Sequence, residues 1–165
     1  MQMSRMFVSV GLVVLLAGMS LPSFAATNGS IKVASIAQIE KEVVGADGKK
    51  HIALVPADKA VPGTAVLFTN TFENIGSKAA GNIAINNPIP ANTEYQAGSA
   101  YGADSEITFS IDGGKTFAAP EQLKVKAAQG EQMAKPSAYT HIRWSYQKQL
   151  APGATGEVGF RAVIK

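Results

Sequence analysis

The sequence predicts an all-β protein: an immunoglobulin-like antiparallel β-sandwich of seven to nine strands behind a cleavable export leader. Three observations predict it. Apolar residues recur at every second position in segment after segment, the signature of half-buried strands. Pro-Gly and Asp-Gly corners separate those segments at short spacing. No long stretch carries the 3.6-residue period of an amphipathic helix.

The leader comes first. Arg5 lies in a short basic start, residues 7–17 ("FVSVGLVVLLA") form an apolar run, and Ser23 and Ala25 are the small residues that precede a cleavage point. This is the layout of a secretory signal peptide over residues 1–25. The apolar run is shorter than the ~20 residues a membrane span needs, so no transmembrane anchor is expected. Residues 26–37 read as a leader that runs into a first strand, and residues 38–165 as the sandwich domain. Asn28-Gly29-Ser30 matches a glycosylation sequon, a pattern short enough to arise by chance.

Along the domain, Asp47-Gly48 marks a hairpin between residues 37–44 and 51–56. The spacing of Ile36, Ile39 and Val43 leaves a short helix as the competing reading. Pro62-Gly63 suits a type II turn: proline sets the first φ and glycine accepts the positive second one. After it, Val66, Phe68 and Phe72 share one strand face with Asn70, a polar exception that needs partners if buried. Asn74 and Gly76 end this strand. Ile83 and Ile85 alternate inward until Pro88 and Pro90 stop the ladder. Residues 93–100 form a short strand or extended segment.

Ile107, Phe109 and Ile111 share a face before Asp112-Gly113-Gly114 turns the chain. Residues 118–138 are rich in Ala, Gln and Lys, and predict a short strand followed by a mobile loop. Ile142, Trp144 and Tyr146 then alternate inward. Pro152-Gly153 repeats the earlier corner, and Val158, Phe160, Ala162 and Ile164 line the inner face of a final strand.

Composition excludes several function classes. There is no cysteine, so a disulfide framework, thiol chemistry and lipid attachment at cysteine are all out. The net charge is +3; removing Arg5 takes the 15 basic residues to 14 against 12 acidic. The charges are scattered, so nucleic-acid binding has no electrostatic footprint.

Candidate chemistry is sparse. His51 and His141 sit in alternating strands, with no neighbouring acidic or histidine ligands at metal-binding spacing. Glu106 and Asp112 are the one carboxylate pair worth nominating for glycoside chemistry. A simpler reading takes Ser110-x-Asp112-x-Gly114-x-x-Phe117 as similar to the Asp-box hairpin of sialidases and other β-proteins. There Asp112 accepts backbone N–H bonds across the turn, the glycines take positive φ, and Phe117 packs beneath. No catalytic, metal or cofactor site is expected. Trp144 and Tyr146 read as core. Tyr95, Tyr101 and Tyr139 flank loops and are the candidates for exposure and ligand contact, for example with a glycan.

Residues 62–95, "PGTAVLFTNTFENIGSKAAGNIAINNPIPANTEY", resemble the bacterial conserved-repeat domain known as domain of unknown function eleven. Its pattern falls on Pro62-Gly63, Phe68, Asn74, Gly76, Ile83, Ile85, Asn87 to Pro90 and Tyr95. Its closing pattern falls on Trp144, Leu150 to Gly153 and Phe160. The resemblance covers most of residues 38–165. It implies an immunoglobulin-like sandwich in a cell-envelope or surface protein. The family's Asp before Pro-x-Pro is Asn87 here, which removes the charge that cation binding would need and keeps the turn-forming hydrogen bonds.

The expected function is therefore that of a soluble module, periplasmic or extracellular, with a structural or protein-interaction role. Its partner would be an envelope protein or a second copy of itself. A carbohydrate-binding module on the same scaffold is the alternative, and an enzyme comes third.

Overall fold

The computed structural model describes residues 31–58, 60–128 and 130–165. The expected signal peptide and the sequon lie outside them. Every strand pairing is antiparallel. Eleven strands follow in order: β1 (Ile31–Val44), β2 (Lys50–Pro56), β3 (Ala65–Asn74), β4 (Ala84–Pro88), β5 (Thr93–Tyr95), β6 (Tyr101–Gly102), β7 (Ser105–Ser110), β8 (Lys124–Ala127), β9 (Gly130–Met133), β10 (His141–Tyr146) and β11 (Thr155–Ile164). The larger sheet runs β2-β1-β3-β11-β5, with β6 also on β11; the smaller runs β4-β10-β7. These nine strands are the sandwich. The remaining two, β8 and β9, form a separate ribbon.

The alternation seen in the sequence sets the two faces. Phe72, Val158, Phe160, Ala162 and Tyr95 from the larger sheet meet Ile85, Phe109, Ile142 and Trp144 from the smaller one in a single core. Trp144, Ile142 and Phe160 are fully buried. Each large side chain buried in this way contributes about 1.5–3 kcal/mol. Phe68 and Phe160 stack with centroids 5.0 Å apart, and Trp144 lies 6.2 Å from Phe160. Gly156 faces Phe72 so closely that a Cβ there would overlap the ring.

The corners form as their residues demand. Thr64 N–H bonds to the Val61 carbonyl across Pro62-Gly63, with Gly63 at φ +87°. Ala154 N–H bonds to the Ala151 carbonyl across Pro152-Gly153, with Gly153 at φ +73°. Gly48, at φ +75°, turns the β1–β2 hairpin, so the strand reading holds over the helix.

Asn74 joins the Pro152-Gly153 corner to the turn that follows β3. Its side chain is fully buried. Nδ2 donates to the carbonyls of Lys78 (2.7 Å) and Leu150 (2.8 Å), and Oδ1 accepts from Gly76 N–H. Its backbone pairs with Ala154 and Gly153. One residue thus ties the end of β3 to the exit toward β4 and to the entry of β11. Asn70, the polar exception of the same strand, is also buried; its Oδ1 accepts from Ser35 Oγ at 2.6 Å, while Nδ2 has no partner among the described residues.

The segment 118–138 differs from expectation. It is a short 3-10 turn (Pro120–Gln122), the β8–β9 ribbon and a second such turn (Pro136–Ala138), anchored by buried Leu123 and Ala134. Its weak alternation hid a hairpin because few of its residues reach the core, with Leu123 and Ala134 buried and Val125 half-buried against it. Phe117, at the end of the Asp-box hairpin, sits outside the core cluster, under the Arg143 guanidinium at 3.7 Å, on the outer face of the smaller sheet.

Replacing Asn74 by Ala strands the buried Leu150 carbonyl and removes the partner of the Lys78 carbonyl and the Gly76 N–H, and is expected to cost about 2–4 kcal/mol. Gly156→Ala, which overpacks Phe72, is expected to cost about 1–3 kcal/mol. Urea denaturation of both variants against the parent measures the two losses.

Candidate binding surfaces

The Asp-box hairpin is built as its residue types require. Ser110 Oγ donates to Asp112 Oδ1 at 2.7 Å, and Thr116 Oγ1 donates to Oδ2 at 2.6 Å. The backbone N–H groups of Lys115 and Thr116 donate to Oδ1 at 3.0 Å. Gly113 and Gly114 take φ +78° and +84°, and Gly114 N–H reaches Ser110 Oγ. Donors from Thr116 and Ser110 hold the Asp112 carboxyl well below the usual carboxylate range. The carboxylate is committed to its own turn, which leaves it poorly placed to contact a cation or a sugar.

Glu106 is exposed near the start of β7, and Asp112 lies beyond its end. The four residue-to-residue steps from 106 to 110 alone span roughly 13 Å. That exceeds the separation of paired glycosidase carboxylates. His51 is exposed, and His141 is half-buried with Nδ1 3.1 Å from Thr140 Oγ1. Among the described residues no group of three His, Asp or Glu side chains could hold a metal ion.

The three candidate tyrosines separate. Tyr101 is exposed on the outer face of the larger sheet, as expected. Its ring covers Gly159, and its hydroxyl donates to Glu157 Oε1 at 3.1 Å. Tyr95 and Tyr139 are corrections to the expected exposure, because both are buried, at 5 and 8 %. They stack on each other at 5.9 Å and pack at a tilt against Phe109 at 5.1 and 4.8 Å. Burial, with Tyr95 and Glu121 nearby, pushes the Tyr139 phenol up. Their edges still reach a cleft of about 330 Å³, walled by Ile107, Pro120 and Pro136. Its lining is mostly apolar and its rings are already stacked on one another. Asn87 lies within β4 opposite Ile142, and its Nδ2 donates to the Pro88 carbonyl at 3.1 Å, a bond that Asp could not make and not the turn-capping one expected.

The sheet edges are the second kind of surface. The smaller sheet packs over β3, β11 and β5; of the β1–β2 hairpin, Ile31 is half-buried against the core, while apolar residues further along are exposed on both faces. Val33, aligned with Phe72 on the inner face, is 47 % exposed, and Ile36, on the outer face, is 54 % exposed. Leu54 and Ile52 extend the outer apolar patch. β1 pairs with β3 through residues 31–39 and with β2 through residues 38–44. Over residues 31–37 its second edge has no partner strand among the described residues. The sequence hinted at this segment through Ile31 and Val33, but alternation alone does not say which strand lies at an edge.

No family model, curated protein or solved structure matches this chain. No helix among the described residues is long and apolar enough to cross a membrane.

The depressed pKa of Asp112 has a pH consequence. Hydrogen bonds that favour the ionised form stabilise the fold above the carboxyl's unfolded pKa, near 4, and are lost as pH falls through the lower folded value. Asp112→Asn is expected to lower the melting midpoint by a few degrees at pH 7, and by progressively less as pH drops below 4. Melting curves of both proteins across pH 2–7 check this.

Proposed function

We propose that this chain is an exported, non-catalytic module of the bacterial cell envelope, immunoglobulin-like and akin to the conserved-repeat domains. Its role would be structural or protein-interacting. The observation that carries the reading is the edge of β1 over residues 31–37, which has no partner strand among the described residues and exposes apolar side chains on both faces. Strand addition supplies affinity through backbone hydrogen bonds and specificity through alternate side chains, and needs an edge of this kind. The signal-peptide pattern of residues 1–25 supports the export part of the same reading.

A second reading, a carbohydrate-binding module, is favoured by one observation: the cleft beside Tyr95 and Tyr139 has room for a single sugar ring. Loss of glycan-array binding on Tyr139→Ala, with the fold retained, would promote it.

Two measurements test the first reading. N-terminal sequencing of the protein recovered from cells is expected to begin at Ala26; a start at Met1 would remove the export premise. A photo-crosslinking residue at Ile36 is expected to give one defined protein adduct in intact cells, and the same residue at Glu106 none. Equal yields at the two positions would remove the edge as the interaction surface.

A further inference from the structure

We infer that two copies of this chain pair through β1, antiparallel about a two-fold axis at Val33, to join their larger sheets into one continuous sheet. The inference rests on the interaction reading above and names its partner.

The other edges of the sandwich are protected in the ways natural sheets use. β2 begins at Lys50 and ends at Pro56, β5 and β6 have three and two residues, and β4 ends at Pro88. The free side of β7 is capped by a two-way bridge from Phe109 to Ala118. Over Ile31 to Ala37, β1 has one such device, the charge of Lys32, and among the described residues neither a proline nor a capping bridge. The stretch "IKVASIA" contains no proline and one charge, Lys32.

The parity of the backbone shows which groups are open. Ala57 N–H donates to the Ala37 carbonyl at 3.1 Å, on the side away from β3. N–H and C=O groups alternate sides along a strand. Those of Ile31, Val33 and Ser35 therefore face the open edge, and those of Lys32, Ala34 and Ile36 face β3.

Three antiparallel self-registers can use this set. Centring on Lys32 sets two lysines directly opposite, which is unfavourable. Centring on Ala34 requires the Ala37 carbonyl, already taken by Ala57. Centring on Val33 pairs Val33 with its copy and Ile31 with Ser35 twice, making about six backbone hydrogen bonds. It also places Lys32 opposite Ala34, where no like charge meets it. The two exposed Val33 side chains then cover each other. An interface of this small size suits a dimer of micromolar rather than nanomolar affinity, with Kd on the order of 10 μM.

The test is sedimentation of the purified protein from about 1 to 300 μM, a span that brackets that constant. A concentration-dependent dimer is expected. Val33→Pro removes only an edge-facing N–H, so the β3 ladder stays intact; it should weaken dimerisation about tenfold or more. Val33→Lys, which opposes two charges on the axis, gives an independent route to the same loss. Because the chain has no cysteine, Val33→Cys should give a disulfide-linked dimer under mild oxidation, since paired Cα atoms at such a site are within bridging reach. Gln38→Cys, beyond the paired stretch, should not. A monomer throughout the concentration range overturns the inference, as does a dimer indifferent to both Val33→Pro and Val33→Lys. A monomer that still gives the Ile36 adduct with another protein overturns this inference alone; loss of that adduct as well overturns the interaction reading.

Discussion

The smaller sheet has half the strands of the sheet it faces, and that inequality governs most of the molecule. β10 sits between β4 and β7, over β3 and β11, and there the core closes around Trp144, Phe160 and Phe72. The β1–β2 hairpin extends past the cover. Its inner-facing Val33 and outer-facing Ile36 are both wet, although the same alternation buries Val66 and Phe72 one strand away. Asn74 holds the covered half in register. It satisfies carbonyls from two different connections at once, which an apolar residue of similar size could not do.

Much of this was legible in the residues. The two Pro-Gly corners, the Asp-Gly hairpin and the Asp-box hairpin each depend on local chemistry, and local chemistry survives folding. Gly63, Gly153 and Gly114 take the positive φ their positions required. The inward rows of β10 and β11 were legible because Trp144 and Phe160 leave no ambiguity of face. What was not legible depends on partners far along the chain. Tyr95 and Tyr139 flank turns, yet β5 and the second 3-10 turn bring them together over Phe109. The β8–β9 ribbon has too few apolar residues to show a strand period. Its pairing is visible only once Leu123 and Ala134 are anchored.

The candidate site was legible in kind but not in place. The residues suggested a sandwich with interacting edges, but they pointed to the tyrosine loops for ligand contact. Strand order decides the matter. A segment such as "IKVASIA" would be buried if it lay between two neighbours. Beside β3 alone, it presents open backbone groups and two uncovered apolar side chains. The Asp112 carboxylate shows the converse. Ahead of two glycines it read as a turn residue whatever its distant neighbours, and its hydrogen bonds are spent on holding that turn.

Residue-resolved amide exchange at micromolar dilution tests the half-paired edge most directly. The N–H groups of Lys32, Ala34 and Ile36, directed at β3, should exchange slowly, while those of Val33 and Ser35 exchange quickly. Uniformly slow exchange from Lys32 to Ile36 at that dilution would mean that something else in the chain already covers the edge. Uniformly fast exchange would mean that β1 is not held by β3 at all, and either result would contradict the account.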